Sequence, residues 1–428
     1  MTTQTIHPAR GPLEGSVRLP GDKSISHRYG MLAAIADGTS VIHNYSSGAD
    51  CHSTLGCLRS LGIEITEEGR DVTVHGRGLL GLSEFSSQLD AGNSGSTIRM
   101  LSGILAGQPF RTRIGGDESL SKRPMQRIMG PLRQMGATVS ARDGKFPPIE
   151  IQGGLLRPLD YDMPVASAQV KSCVLLAGLY ADGTTTVHEP AKTRDHTEVA
   201  LREFGVDVET GRGWAKVTGP AKLEARNLSV PGDLSSAAFF LVAAAIVPGS
   251  NVILQSVGLN PTRATLIDFL VSAGVQIKIL DMGMNNGEPV GDLLVRGSTL
   301  KGGDIEKQWA AALIDEIPVL AILGALSEEG LTVRDAAELR VKETDRIETM
   351  ATNLRRMGIE IETTPDGFHL PGKQTFKAAE VDSYGDHRIA MAFAVAALRA
   401  SGPCVIRNAE AASVSFPEFW QTLRGLST

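Results

Sequence analysis

Apolar and polar positions along this chain alternate between two periods. Five stretches with apolar residues three and four apart end on one phrase: Leu58-Arg59-Ser60-Leu61-Gly62, Leu132-Arg133-Gln134-Met135-Gly136, Leu201-Arg202-Glu203-Phe204-Gly205, Leu270-Val271-Ser272-Ala273-Gly274 and Leu354-Arg355-Arg356-Met357-Gly358. The spacing predicts an amphipathic helix each time, and the Gly, which accepts left-handed backbone, predicts its end. Strict alternation follows directly, as in Ile63-Glu64-Ile65 and Ile359-Glu360-Ile361, and predicts a strand. That strand returns and stops on a second Gly: Gly76, Gly153, Gly219, Gly297 or Gly372.

Between these lie six helices of another kind, rich in small residues and apolar all round, which is the pattern of a buried helix. They begin near Asp22-Lys23-Ser24, Asn93-Ser94-Gly95-Ser96, Ser167-Ala168-Gln169, Asp233-Leu234-Ser235, Asp315-Glu316 and Asp386-His387-Arg388. A short β-branched strand follows each, from Thr39 to His43 in the first case and Pro403 to Arg407 in the last. The unit is therefore βαβαββ, repeated six times. The last helix, Phe416 to Leu426, has no strands after it, so residues 4 to 19 are expected to complete the sixth unit.

The phrase Leu19-Pro20-Gly21-Asp22-Lys23-Ser24 returns half a chain later as Val230-Pro231-Gly232-Asp233-Leu234-Ser235. Each copy reads as a strand, a sharp turn and a capped helix start. A chain of 428 residues is long for one core, and two domains of roughly 200 residues are expected. The phrases mark their boundary: 22–232 in one, 1–21 plus 233–428 in the other, with a hinge at the two crossings.

Composition narrows the class. A net charge of −6 argues against a nucleic-acid-binding face. The longest apolar run, Ala237 to Val247, is short of the roughly 20 residues a membrane span needs, and the first residues carry no export pattern, so a cytoplasmic protein is expected. Cys51, Cys57, Cys173 and Cys404 form no metal or disulfide spacing and read as small buried hydrophobes.

The chemistry sits at the starts of the buried helices. Lys23, Ser24, His27 and Arg28 join fixed positive charge to a helix N-terminus, which is what an anionic ligand needs; the second copy of the phrase carries no cation there. Asn93 to Ser96 with Arg99, Ser167 with Gln169, Asp315 with Glu316, and His387 with Arg388 are similarly polar. Pointed at a common cleft, such starts would hold more than one anionic group, as in a phosphate-rich substrate. Taken singly, each has a plainer reading: Asn93 to Ser96 is a cap and turn, Asp315 an N-cap, His387 a packed histidine. Glu338 to Arg346 is either functional or a charged helix opening capped by Thr344 or Asp345. Gly115 to Arg127 is either a solvated basic loop or a connection in which Arg123 meets an anion, with Pro124 in a first helical turn.

Together, Leu19 to Arg28, Ala91-Gly92-Asn93-Ser94-Gly95-Ser96-Thr97-Ile98-Arg99, Arg340-Val341-Lys342-Glu343-Thr344-Asp345-Arg346 and Gly385-Asp386-His387-Arg388-Ile389-Ala390-Met391 resemble the 3-phosphoshikimate 1-carboxyvinyltransferase (EPSP synthase) family, over residues 19 to 417. The resemblance implies two inverse α/β domains, each of three βαβαββ units. It also implies transfer of the enolpyruvyl group of phosphoenolpyruvate to the 5-hydroxyl of shikimate 3-phosphate in chorismate biosynthesis, without cofactor or metal and as a monomer. By the same resemblance Lys23, Ser24, Arg28, Ser167, Gln169, Arg194, Asp315 and Lys342 bind shikimate 3-phosphate. Lys23, Gly95, Arg123, Gln169, Arg346, His387 and Arg388 bind phosphoenolpyruvate. Asp315, Glu343 and Lys23 are catalytic, Asp315 accepting the hydroxyl proton and Glu343 protonating the methylene carbon. Domain closure would assemble the site and exclude water.

The chain departs from some members at Val414-Ser415-Phe416-Pro417, where they carry a lysine. Two rivals remain. UDP-N-acetylglucosamine enolpyruvyl transferase has the same fold and chemistry but a reactive Cys on a mobile loop, and residues 111–127 contain none. A non-catalytic anion-binding protein would not need both Asp315 and Glu343.

Overall fold

The computed structural model describes residues 2–426. The chain forms two compact units: a C-terminal unit of Met1–Pro20, Pro231–Met284 and Pro289–Thr428, and an N-terminal unit of Gly21–Val230 with Asn285–Glu288. Each has its own apolar core.

The five repeated helix ends share one geometry. Gly62, Gly136, Gly205, Gly274 and Gly358 have φ between +79° and +111°. The amide after each Gly returns to the carbonyl of the Leu that opens the phrase, Ile63 to Leu58 and Ala137 to Leu132 among them. That bond satisfies a carbonyl the helix end would leave open, as in a Schellman motif. The Arg after the Leu has its own task. Arg59, Arg133, Arg202 and Arg355 donate to the carbonyls of Ile65, Val139, Val208 and Ile361, tying each helix to the strand it feeds. Val271 takes the Arg position in the fifth copy, so that tie is missing there.

In the N-terminal unit three sheets have one order. Asn227–Ser229 lies parallel to Asp37–His43, which runs antiparallel to Asp71–Arg77, itself paired with Glu64–Glu68. Gln88–Asp90, Arg111–Gly115, Phe146–Gln152 and Thr138–Arg142 repeat this, as do Asp160–Asp162, Gly183–His188, Trp214–Gly219 and Val208–Gly211. The helices Lys23–Ala34, Gly95–Ala106 and Ala168–Gly178 form the interior, with almost every residue beyond their first turns buried. At the strand ends, a Cβ on Gly76, Gly153 or Gly219 would collide with a carbonyl at the end of a buried helix, so backbone meets backbone there.

The C-terminal unit repeats the order in Gly303–Ile305, Leu331–Val333, Gly367–Leu370 and Glu362–Thr364. The N-terminal residues divide between two sheets rather than completing one. Thr3–Ile6 pairs antiparallel with Cys404–Arg407 in the sixth sheet, which has three strands among the described residues. Glu14–Arg18 instead runs parallel to the first half of Asn251–Gly258 in the fourth sheet. Alternation explains the split: Val17 and Leu19 bury into the same core as Val252 and Leu254, and the fourth sheet has no other strand to take that edge. The last helix begins at Phe419, after a short 3-10 turn at Ala409–Val414 and past Pro417. Among the described residues no helix is long and apolar enough to cross a membrane. All four cysteines are buried, as their spacing suggested.

Candidate active site

In the N-terminal unit three helix starts are tied into a ring. Asp22 caps the first, accepting from the Ile25 amide at 3.0 Å. Lys23 Nζ lies 3.0 Å from Asp50 Oδ2. The Asp50 carbonyl in turn accepts from Thr97 Oγ1 at 3.4 Å, beside Ser94, the cap of the second helix. Ser96 accepts from Gln169 Nε2 at 2.9 Å in the first turn of the third, whose cap is Ser167. Arg28 closes the ring through Ser172 Oγ at 2.8 Å and the Ser24 carbonyl at 2.7 Å.

Arg28 is buried, and its Nε donates to Thr197 Oγ1 at 2.6 Å. Burial lowers it to about 10 against the pull of Glu198 and Asp22, which leaves it charged at neutral pH. Arg194 is half-buried in the connection before helix His196–Glu203 and adds to the positive potential at Arg28. Gly95 marks a close approach: a Cβ there would stand 2.9 Å from Arg99 Nη1 and 3.5 Å from Arg123 Nη1. Those two guanidiniums are anchored, Arg99 on Gln169 Oε1 at 2.7 Å and Arg123 on Asn93 Oδ1 at 2.9 Å. Pro124 is not in a first helical turn; a 3-10 turn at Leu120–Lys122 precedes it and the helix starts at Gln126, because Arg123 remains extended.

The C-terminal unit gathers the carboxylates. Asp315 stands in the turn before helix Ile317–Leu326 rather than capping it, and its Oδ1 lies 3.3 Å from Lys342 Nζ and 3.4 Å from Arg346 Nη1. Arg346 is buried at the start of helix Arg346–Arg356, which Asp345 caps. It reaches Glu343 Oε2 at 2.5 Å and Asp386 Oδ2 at 2.8 Å. Burial alone would weaken the charge on Arg346, but Asp386, Glu343 and Asp315 outweigh it and hold the proton more firmly than usual. Asp386 caps helix His387–Ala397, in which His387 is buried and Arg388 donates to the Asp315 carbonyl at 2.7 Å. One guanidinium thus holds three carboxylates, Asp315, Glu343 and Asp386, that come from different elements. Val414 ends a 3-10 turn and brings no cation.

Two outcomes were not visible in the pattern. Asp50 and Asp386 anchor Lys23 and Arg346, but each reads in sequence as an ordinary acid at a helix start. The second Pro-Gly-Asp phrase, which carries no cation of its own, receives one from elsewhere. Arg263 approaches Asp233 at 3.7 Å and Glu316 at 3.8 Å and donates to Ser235 Oγ.

The family model for EPSP synthase (3-phosphoshikimate 1-carboxyvinyltransferase) matches residues 8–423. A 3-phosphoshikimate 1-carboxyvinyltransferase of Solibacter usitatus is 63% identical over 422 residues, covering 99% of each chain. That of Bacillus subtilis is 48% identical over 417 residues, with 97% of each chain covered. An EPSP synthase structure from Acinetobacter baumannii superposes with a TM-score of 0.90 at 44% identity, covering 100% of this chain and 98% of that one. The enolpyruvyl transferase NikO of Streptomyces tendae, at 20% identity and a TM-score of 0.79, shares the fold. Full-length agreement at this identity decides between the enolpyruvyl transferases that share the architecture. The chain belongs to the EPSP synthase (3-phosphoshikimate 1-carboxyvinyltransferase, EC 2.5.1.19) family, transferases of the shikimate pathway that move the enolpyruvyl group of phosphoenolpyruvate to shikimate 3-phosphate.

Proposed function

We propose that this chain performs that transfer with its two clusters in separate roles. Lys23, Ser24, Arg28, Ser167, Gln169 and Arg194, with Asp315 and Lys342, hold shikimate 3-phosphate. Lys23, Gly95, Arg123, Gln169, Arg346, His387 and Arg388 hold phosphoenolpyruvate. The support for the first set is its character: Arg28 is held by hydroxyls and a carbonyl, so its charge is available to an anion. For the second, the missing Cβ at Gly95 leaves room beside two anchored guanidiniums.

The reaction joins the 5-hydroxyl oxygen to C2 of phosphoenolpyruvate and adds a proton to C3. Loss of phosphate and a C3 proton then restores the double bond. Asp315 takes the hydroxyl proton and Glu343 supplies the one for C3. The observation that carries this reading is the shared Arg346, 3.4 Å from Asp315 and 2.5 Å from Glu343. A phosphoenolpyruvate carboxylate or phosphate that takes over this guanidinium would leave Glu343 beside a negative charge, and a carboxyl in that position favours its protonated form. The base, Asp315, keeps Lys342, which favours its ionised form.

Phosphate release from phosphoenolpyruvate with shikimate 3-phosphate tests the reading beside Glu343→Gln. Release should need both substrates, and kcat should fall by about 10² to 10⁴ in the variant. Release with a UDP-sugar acceptor, or an unchanged kcat in Glu343→Gln, would overturn it. We extend the proposal to a cytoplasmic monomer with a hinge at the two Pro-Gly-Asp crossings. Light scattering giving a dimer mass, or X-ray scattering unchanged by both substrates, would sink those parts.

A further inference from the structure

One buried charge cluster in the N-terminal unit has no part in the chemistry above. Lys171, on helix Ala168–Gly178, is 1% exposed, and its Nζ lies 2.7 Å from Glu198 Oε1 and 3.2 Å from Glu189 Oε2. Glu198 Oε2 is buried with no hydrogen-bond partner among the described residues, and Lys171 is the cation that meets Oε1, with Arg28 also attracting this carboxylate. Breaking a buried pair on one side leaves an uncompensated charge, and such a lysine is seldom placed idly.

The neighbours of this cluster in sequence are the ones that hold Arg28. Ser172 follows Lys171, and Thr197 precedes Glu198; their hydroxyls lie 2.6 Å apart and both accept from the Arg28 guanidinium. Glu189 extends the cluster to Arg194. Its Oε2 accepts from the Thr193 amide at 3.1 Å and the Thr193 hydroxyl at 2.6 Å, so one carboxylate fixes the residue just before Arg194. A cavity of about 650 Å³ borders that segment, lined by Glu189, Thr193, Asp195 and Trp214 among others. Residues 190–195 form no helix or strand, and the Glu189 carboxylate is a polar restraint on them at Thr193.

We propose that Lys171, Glu189 and Glu198 are positioning residues that hold Arg28 and Arg194 at one fixed spacing and so set the affinity for the phosphate of shikimate 3-phosphate. Lys171 anchors Glu189, Glu189 anchors Thr193, and Thr193 presents Arg194. Along the other arm, Lys171 anchors Glu198 and keeps the two helices registered so that Ser172 and Thr197 meet Arg28. The inference rests on the assignment of these two arginines to that phosphate.

The test is calorimetric binding of shikimate 3-phosphate, with steady-state kinetics, on Thr193→Val, Thr193→Ser, Lys171→Met and Arg194→Ala. Thr193→Val should raise Kd and KM for shikimate 3-phosphate about tenfold, with kcat and the KM for phosphoenolpyruvate unchanged, and Thr193→Ser should restore both. Lys171→Met should do the same with a lowered melting temperature; if it does not fold, Thr193→Val alone decides. Wild-type affinity in a folded Thr193→Val, or an equal rise in both KM values, overturns the positioning role. If Arg194→Ala weakens shikimate 3-phosphate while Thr193→Val does not, the device fails and the phosphate assignment stands. An unchanged affinity in Arg194→Ala overturns the assignment of Arg194, and the device with it.

Discussion

The two Pro-Gly-Asp phrases build the same start and put it to opposite uses. In the first, Asp22 caps a helix with two cations: Lys23 is paired with Asp50, while Arg28 is held by Thr197, Ser172 and the Ser24 carbonyl, none of which is a carboxylate. In the second, Asp233 caps the helix Leu234–Ile246, buried along its whole length, and Arg263 arrives beside it. There the charge is closed internally, with Asp233 and Glu316 on Arg263 and Ser235 donating to Glu316 at 2.5 Å. A cation at a helix start is most readily offered to an anion where uncharged groups anchor it, as they do Arg28. The second copy is a structural joint because its ligand, in effect, is part of the chain.

That contrast can be broken from either side. The largest effect is expected from Arg263→Met, which takes one buried cation from beside Asp233 and Glu316 and leaves Glu316 with Arg388 at 3.6 Å; unfolding in urea should show a loss of about 3 kcal/mol. A variant as stable as the native chain would mean the second start is not held by charge. Next comes Arg28→Met, which removes an anchored cation and should cost about 100-fold in kcat/KM for shikimate 3-phosphate with little change in melting temperature. If stability collapses and affinity survives, Arg28 is structural and the contrast fails.

A third test uses pH. Burial, against the opposing pull of Asp50, lowers His27 from 6.5 to about 3, and its Nδ1 meets Thr54 Oγ1 at 2.7 Å. The unfolded chain therefore takes up this proton below pH 6.5 while the folded one refuses it until about pH 3. The stability is complete above pH 6.5 and is lost as pH falls, by about 2 kcal/mol at pH 5. His27→Asn should melt with a flatter acid limb; identical limbs would show that His27 is not the group responsible. The smallest effect is expected from Gly95→Ala. Its methyl would meet Arg99 at 2.9 Å, raising the KM for phosphoenolpyruvate about tenfold while shikimate 3-phosphate binds as before.

Local rules carried far along this chain. A helix end needs its last carbonyls satisfied and a residue that tolerates positive φ, so the five Leu-to-Gly phrases announced their own geometry before any contact was known. The caps Asp22, Ser94, Ser167, Asp233 and Asp386 were legible for the same reason. The cation-bearing motifs could be placed at helix starts, and Asp345 could be named as one of two caps.

Other features had no local signature. Glu14–Arg18 joins the fourth sheet rather than the sixth because a free edge and a shared core lie there, and alternation alone does not say which edge is free. Asp50, Arg263, Lys171 and Glu198 look like common surface charges in sequence, yet each is buried. By itself the sequence determined the repeated unit, its turns and caps, and the residue types able to bind anions and move protons, since these follow from backbone and side-chain chemistry within a few residues. Only the tertiary structure decided which charges are cancelled inside and which stay available, because that depends on partners distant in sequence meeting where water is excluded.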